Sequence, residues 1–200
     1  MPGEPAFAPR AMTLQEWTDL DEDEPGELVD GRLEEEEMPT ALHEAVAAWL
    51  VRLLGNWIAP RGGRVFASEL RFFVTAGRGR KADASVYFPG RRLPAARAGA
   101  TRRPPSLVVE VLSPRPRDAR RDKIDKLAEF ASFGVTYYWL VDPLVRTLEI
   151  RELSADGRHV TLLAAADGAH AIDGCEGLVL DLDALWADVD GLPDEDEERE

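Results

Sequence analysis

The sequence predicts an α/β domain, a mixed β-sheet flanked by helices, on three observations. Residues 107–112, 118–133 and 135–142 read as strand, helix and strand in immediate succession, the pattern of a βαβ crossover with parallel strands. The runs before and after this unit are joined by short turns, which makes those strands antiparallel. A long amphipathic stretch upstream supplies a helix to cover the sheet.

Residues 1–11, rich in Pro, Gly and Ala, read as a disordered N-terminus, 12–189 as one domain, and 190–200 as an acidic disordered tail. Thr13 caps a short helix in which Leu14, Trp17 and Leu20 recur at helical spacing. ELVDGRLEEE reads as a hairpin turning at Asp30-Gly31. Leu42, Val46, Trp49, Leu50, Leu53, Leu54 and Trp57 recur in steps of three and four. A helix therefore runs from about Thr40 to Ile58 and stops at Pro60 and the Gly62-Gly63 pair. A β-rich section follows, with 65–74 as one strand, 75–81 as a loop and 82–88 as a second strand. The Arg- and Ala-rich 89–105 is a long loop. LVVEVL (107–112) is the most apolar strand. The helix 118–133 puts Ile124, Leu127, Ala128 and Ala131 on one face and ends at Gly134. After strand 135–142 come a hairpin of LEIREL and HVTLLAA across SADGR, and a last strand and helix in LVLDLDALWADV.

Two hundred residues suffice for one domain with a sizeable core. No apolar run approaches the roughly 20 residues that span a bilayer, so no membrane partner is expected. The first ten residues lack the charged-then-apolar order of a signal peptide, and the expected location is cytoplasmic. A lone cysteine, Cys175, excludes an internal disulfide and a Cys-rich zinc site. The formal charge of −14 is spread unevenly. Residues 16–37 hold twelve acids and one arginine, and 190–200 hold seven acids and one arginine. Residues 91–126 carry eleven Lys or Arg against four acids. A basic middle between acidic ends keeps a nucleic-acid partner open despite the net charge.

One residue breaks the apolar logic. Glu110 sits inside LVVEVL, where an ionised carboxylate needs a partner cation or a metal. Asp83 opens a strand that is otherwise largely apolar, and Lys126 lies on the helix after Glu110. Adjacent strands stand about 4.8 Å apart, so paired Asp83 and Glu110 strands could share one divalent ion. Oxygen donors without His or Cys favour Mg²⁺ or Mn²⁺ over zinc. A nearby lysine could orient a water or offset charge in metal-assisted phosphodiester hydrolysis. Each residue also has a plain reading: an arginine partner for Glu110, a strand-end cap for Asp83, a solvated helix position for Lys126.

From Glu27 to about Arg151 the chain resembles the Uma-type putative restriction endonucleases, a branch of the PD-(D/E)XK nuclease superfamily. The match is carried by GELVDGRLEEEEMPTALHEAV, KADASVYF, LVVEVLSP and RRDKIDKLAEFASFGVTYYWLVDP. The resemblance implies a restriction-endonuclease-like fold with Asp83 and Glu110 as metal ligands and a lysine completing the site. The superfamily lysine two residues after the glutamate is Leu112 here. The Uma-type position on the next helix is Lys126, and Lys123 is a weaker substitute. Ala82 replaces the proline before the aspartate, and Tyr137 stands where a glutamate usually precedes Tyr-Trp. Glu27 and His43 also fall on positions resembling family motifs. Glu27 either reaches the metal, directly or through a water, or is a solvated acid. His43 either contacts phosphate or a water, or is a surface or capping residue. Asp122, one turn before Lys126, can pair with that lysine.

The resemblance implies a Mg²⁺- or Mn²⁺-dependent DNA endonuclease, expected as a homodimer. Loop 89–105 and Arg115, Arg117, Arg120 and Arg121 would follow the phosphate backbone. The alternative is a catalytically inactive binding or scaffold protein that keeps the nuclease fold. Its acidic segments would then cover the basic face or hold a basic protein partner.

Overall fold

The computed structural model describes residues 10–20, 26–34, 38–112 and 121–193, with side chains from Ile124 onward in the last stretch. The expected tail beyond residue 193 and the first nine residues lie outside these. So do Arg115, Arg117 and Arg120, and the side chains of Arg121, Asp122 and Lys123.

The chain opens with α1 (Leu14–Thr18), held by a reciprocal Thr13–Glu16 capping box. The hairpin β1 (Glu27–Val29) and β2 (Arg32–Glu34) turns on Asp30 and Gly31 at φ 48° and 81°. Positive φ at both central residues matches the right-handed twist of the two strands, and this is why Asp-Gly stands there. Thr40 caps α2 (Ala41–Ile58) by accepting from the His43 amide, and one 3₁₀ turn through Pro60 ends the helix.

Next come β3 (Arg64–Ala67), β4 (Arg71–Thr75), β5 (Arg78–Arg80) and β6 (Ala84–Tyr87). The sequence read 65–74 as one strand and 75–81 as a loop, and both readings are corrected here. A turn at Ser68-Glu69, with Glu69 at φ 77°, sends the two halves of 65–74 into different sheets. The supposed loop contributes β5, which pairs with both β4 and β1. Gly79 within it leaves room for the Trp17 ring, since a Cβ there would stand 2.2 Å from that ring. Loop 89–105 is largely irregular, but Ala100–Thr101 forms a two-residue strand, β7.

The crossover follows as predicted. β8 (Leu107–Val111) and β9 (Tyr137–Asp142) pair in parallel around a helix. Among the described residues that helix runs as a π-helical turn over Arg121–Lys126 and continues as α3 (Leu127–Phe133) to Gly134. Its buried face shares Ala131 and the half-buried Leu127 with the predicted one and departs from it at the other two positions. Ile124 is 56% exposed and Ala128 is exposed, whereas Lys126, Glu129 and Phe130 are buried. Leu127 and Ala131 keep the predicted face, the former packed on the Phe130 cluster, while Lys126 and Glu129 turn inward to ionic partners.

β10 (Thr147–Leu153) and β11 (His159–Ala165) form the expected hairpin. β12 (Ala169–Ala171), not foreseen, pairs with β13 (Val179–Asp181), and α4 (Leu182–Val189) closes the described chain.

Two larger sheets result. One is six-stranded, in the order β11-β10-β9-β8-β6-β3, and the other five-stranded, β2-β1-β5-β4-β7. Pairs are antiparallel except β8/β9 and β4/β7. One face of the six-stranded sheet (Ala84, Val86, Val109, Val111, Trp139, Val141) packs on α2 and α4 through Leu50, Leu54, Leu185 and Trp186. The other face (Val108, Leu112, Tyr138, Leu140) packs on Phe130 of α3 and Phe72 of β4. Side chains alternate along a strand, so Glu110 falls on this second face, between the two sheets. No helix among the described residues is long and apolar enough to cross a membrane.

Candidate active site

Glu110 is 3% exposed, so its charge must be met inside the protein. The Lys126 ammonium meets it: Nζ stands 3.0 Å from Glu110 Oε2 and 3.1 Å from Glu27 Oε1. Lys126 is itself 4% exposed, so the solvated-position reading of this residue does not hold. A third contact, 3.5 Å to the Lys81 carbonyl oxygen, ties Lys126 to the segment leading into β6.

Asp83 reaches the same place from the neighbouring strand. Ala84 pairs with Val109, so one step outward Asp83 stands across from Glu110. Asp83 Oδ2 accepts from the Val111 amide at 2.6 Å, in place of a backbone carbonyl at the end of β6. Its side chain remains 20% exposed, which opens this edge of the cluster to solvent. His43, in the first turn of α2, brings Nε2 to 3.4 Å from the same Asp83 oxygen. His43 is buried rather than a surface residue. Burial alone would depress its pKa, but Asp83 and Glu44 outweigh burial and raise it above the ordinary value.

Glu27 is neither solvated nor open. It is 0% exposed; Oε1 accepts from the Lys81 amide at 2.8 Å, and Oε2 accepts from Arg80 at 2.9 Å. With Lys126 as a third partner, both oxygens are already engaged by protein cations and amides. The donor set therefore fits Glu27 as a counter-ion and does not fit it as a metal ligand.

Arg80, which sequence reasoning passed over, is 1% exposed and forks onto Glu129, with Nε to Oε2 at 2.6 Å and an η-nitrogen to Oε1 at 2.8 Å. Burial works against its charge, yet Glu129 and Glu27 push its pKa above the ordinary arginine value. Arg78 joins Glu129 from the solvent side and pairs with Asp30 at 2.7 Å. A periodicity signal was present: Glu129 stands three residues after Lys126, which places both on one helix face. The apolar stripe masked it.

The basic groups divide by position. Loop 89–105 leaves β6 and joins β8 at Phe88 and Ser106, the ends of those strands opposite Asp83 and Glu110. By contrast, the segment with Arg115, Arg117, Arg120 and Arg121 follows Leu112 in the chain, two residues beyond Glu110. Tyr138 and Trp139 are core residues.

Among the described residues no three of His, Cys, Asp or Glu gather as a metal-binding group. The candidate donors are a pair, Asp83 and Glu110, with hard carboxylate oxygens on adjacent strands. Such a pair suits Mg²⁺ or Mn²⁺, which keep several of their own waters.

A mixed sheet flanked by helices, as found here, is the restriction-endonuclease-like architecture. The Uma2 family, described as putative restriction endonuclease, matches residues 12–185, and the chain belongs to that family. The fold is also that of a solved structure, a putative nuclease belonging to DUF820 from Anabaena variabilis ATCC 29413. The two share 22% identity at a TM-score of 0.72, over 89% of this chain and 99% of that one. No curated protein matches.

Proposed function

We propose that the protein is a Mg²⁺- or Mn²⁺-dependent DNA endonuclease, with Asp83 and Glu110 holding the metal and Lys126 beside it. The observation that carries this reading is a strand register and an ion pair. Asp83 lies opposite Glu110, and an ammonium group stands 3.0 Å from the Glu110 carboxylate. When bound, the cation would act as Lewis acid and lower the pKa of a water. The chain's own residues do the rest. Asp83 is fixed by the Val111 amide, and His43 lies beside it on the more open side. Lys126 is pre-placed to meet negative charge that develops at the phosphate, at no reorganisation cost during the reaction. Glu27 helps to hold that ammonium in place. The arginines that follow Leu112 would track the DNA backbone.

The test is cleavage of supercoiled plasmid with and without Mg²⁺ or Mn²⁺. Metal-dependent nicking is expected, with loss in Asp83→Ala, Glu110→Ala and Lys126→Ala proteins. Unchanged cleavage by the Glu110→Ala protein refutes the mechanism. A homodimer in solution, one site for each strand, is part of the same proposal and is read from the native mass.

A second reading, a non-catalytic scaffold, is favoured by one feature. Glu110, Glu27 and Glu129 are matched by three cations, Lys126, Arg80 and, at the rim, Arg78, within one cluster. Calorimetric titration with Mn²⁺ separates the two, since absence of binding at millimolar metal supports the scaffold.

A further inference from the structure

We propose that Arg80 and Glu129 are positioning residues that set where the Lys126 ammonium stands relative to Glu110. This rests on Lys126 serving the reaction proposed above. The ion pairs close a ring. Lys126 contacts Glu27, Glu27 contacts Arg80, Arg80 forks onto Glu129, and one turn of helix returns from Glu129 to Lys126. The ring clamps the helix at two points, three residues apart, against strands β1 and β5.

A clamp is needed there for two reasons. Lys126 ends a π-helical turn, a rare geometry, and the regular α-helix begins only at Leu127. A lysine is also a point charge on a flexible four-carbon stem, so its backbone must be held if its ammonium is to be held. A fork from Arg80 to Glu129 fixes both distance and orientation, as a single contact from a lysine would not. Plain stability does not require this solution, because well-packed apolar residues often replace a buried ion pair without loss. The ring keeps several charges buried beside a site whose chemistry depends on where one of them sits.

The experiment compares full-length wild type with Glu129→Asp, which keeps the charge but draws the carboxylate back by one methylene. Single-turnover plasmid cleavage, Mn²⁺ affinity by calorimetry and folded fraction by circular dichroism are measured at one temperature. The cleavage step is expected to slow by at least about tenfold, as for a catalytic group displaced by a fraction of an ångström or more. Mn²⁺ affinity is expected to stay within about twofold, because Asp83 and Glu110 are untouched. Arg78→Ala, which removes the solvent-side partner of Glu129 and spares the ring, should stay within about twofold of wild type in rate.

A Glu129→Asp rate within about threefold of wild type overturns the proposal, as does a rate loss equal to the loss of folded protein. If Glu129→Asp does not fold, Arg80→Lys is judged by the same criteria; if neither folds, the pair is structural and the proposal fails. A wild type that never cleaves defeats the nuclease reading itself. An inactive Lys126→Ala beside a fully active Glu129→Asp defeats only the positioning role.

Discussion

Strand β8 carries two kinds of interior on its two faces. On one, Val109 and Val111 join α2 and α4 in an apolar core. On the other, one residue along, Glu110 joins a ring of buried acids and cations. The apolar face is tolerant in kind, because hydrophobic burial is non-directional and volume-conserving swaps usually keep the fold. The ionic face is not. Each charge there is acceptable only because named partners stand within hydrogen-bond reach, and removing one strands the others. The Glu110 face also carries an apolar cluster around Phe72, Phe130 and Tyr138, so the two faces differ in the charges that one of them adds.

Substitutions on each side sharpen this contrast. Glu110→Gln should lower plasmid cleavage by about 10²- to 10³-fold or more, the scale of losing one electrostatic group in an active site. Metal affinity should fall with it in a Mn²⁺ titration. If cleavage survives, the ionic face is only structural. Leu50→Ala, on the fully buried side of α2, should cost about 2–5 kcal/mol in urea denaturation. Its cleavage rate per folded molecule should match wild type; a large loss of rate would show that the two faces are coupled.

Two histidines extend the comparison to pH. His43 and His159 are equally buried, at 8% exposure, yet they shift in opposite directions from 6.5. His43 faces Asp83 and is raised. In the metal-free protein its stabilisation is complete below the unfolded value and is lost as pH rises through the raised one. His159 is lowered, since burial outweighs its contacts with the Val135 and Leu127 carbonyl oxygens. Its folded form loses stability as pH falls below the unfolded value and on through the lowered one. The penalty of His43→Gln should therefore be greater at about pH 5 than at about pH 8, and that of His159→Gln greater at about pH 8. Neither slope can exceed about 1.4 kcal/mol per pH unit, as read from denaturation curves. Equal slopes would remove the electrostatic difference drawn here. The smallest effect is expected at the surface. Arg52→Ala, breaking a 3.5 Å contact with Asp188, should change stability by less than about 0.5 kcal/mol.

Much of the fold was legible because it is written in local patterns. The Asp30-Gly31 hairpin, the Thr40 cap and period of α2, and the βαβ unit each depend on residues close in sequence. Segment 65–74 was misread because its β-propensity is continuous, while the break at Ser68-Glu69 follows from which sheet each half joins. The helix face was misread in part for a related reason. Leu127 and Ala131 keep the predicted face, but an ionic ring beside them turns Lys126 and Glu129 inward and leaves Ile124 and Ala128 outside.

By itself the sequence determined the α/β class, the order of most elements, and the three groups Asp83, Glu110 and Lys126 as those with chemistry to explain. Tertiary structure alone decided that Glu27 pairs with Lys126 and Arg80, that His43 lies beside Asp83, and that Arg80 and Glu129 belong to the same cluster. The reason is physical. Periodicity and turn chemistry act over a few residues, whereas the partner of a buried charge is chosen by distance in space, and Arg80 and Glu129 meet across 49 residues of chain.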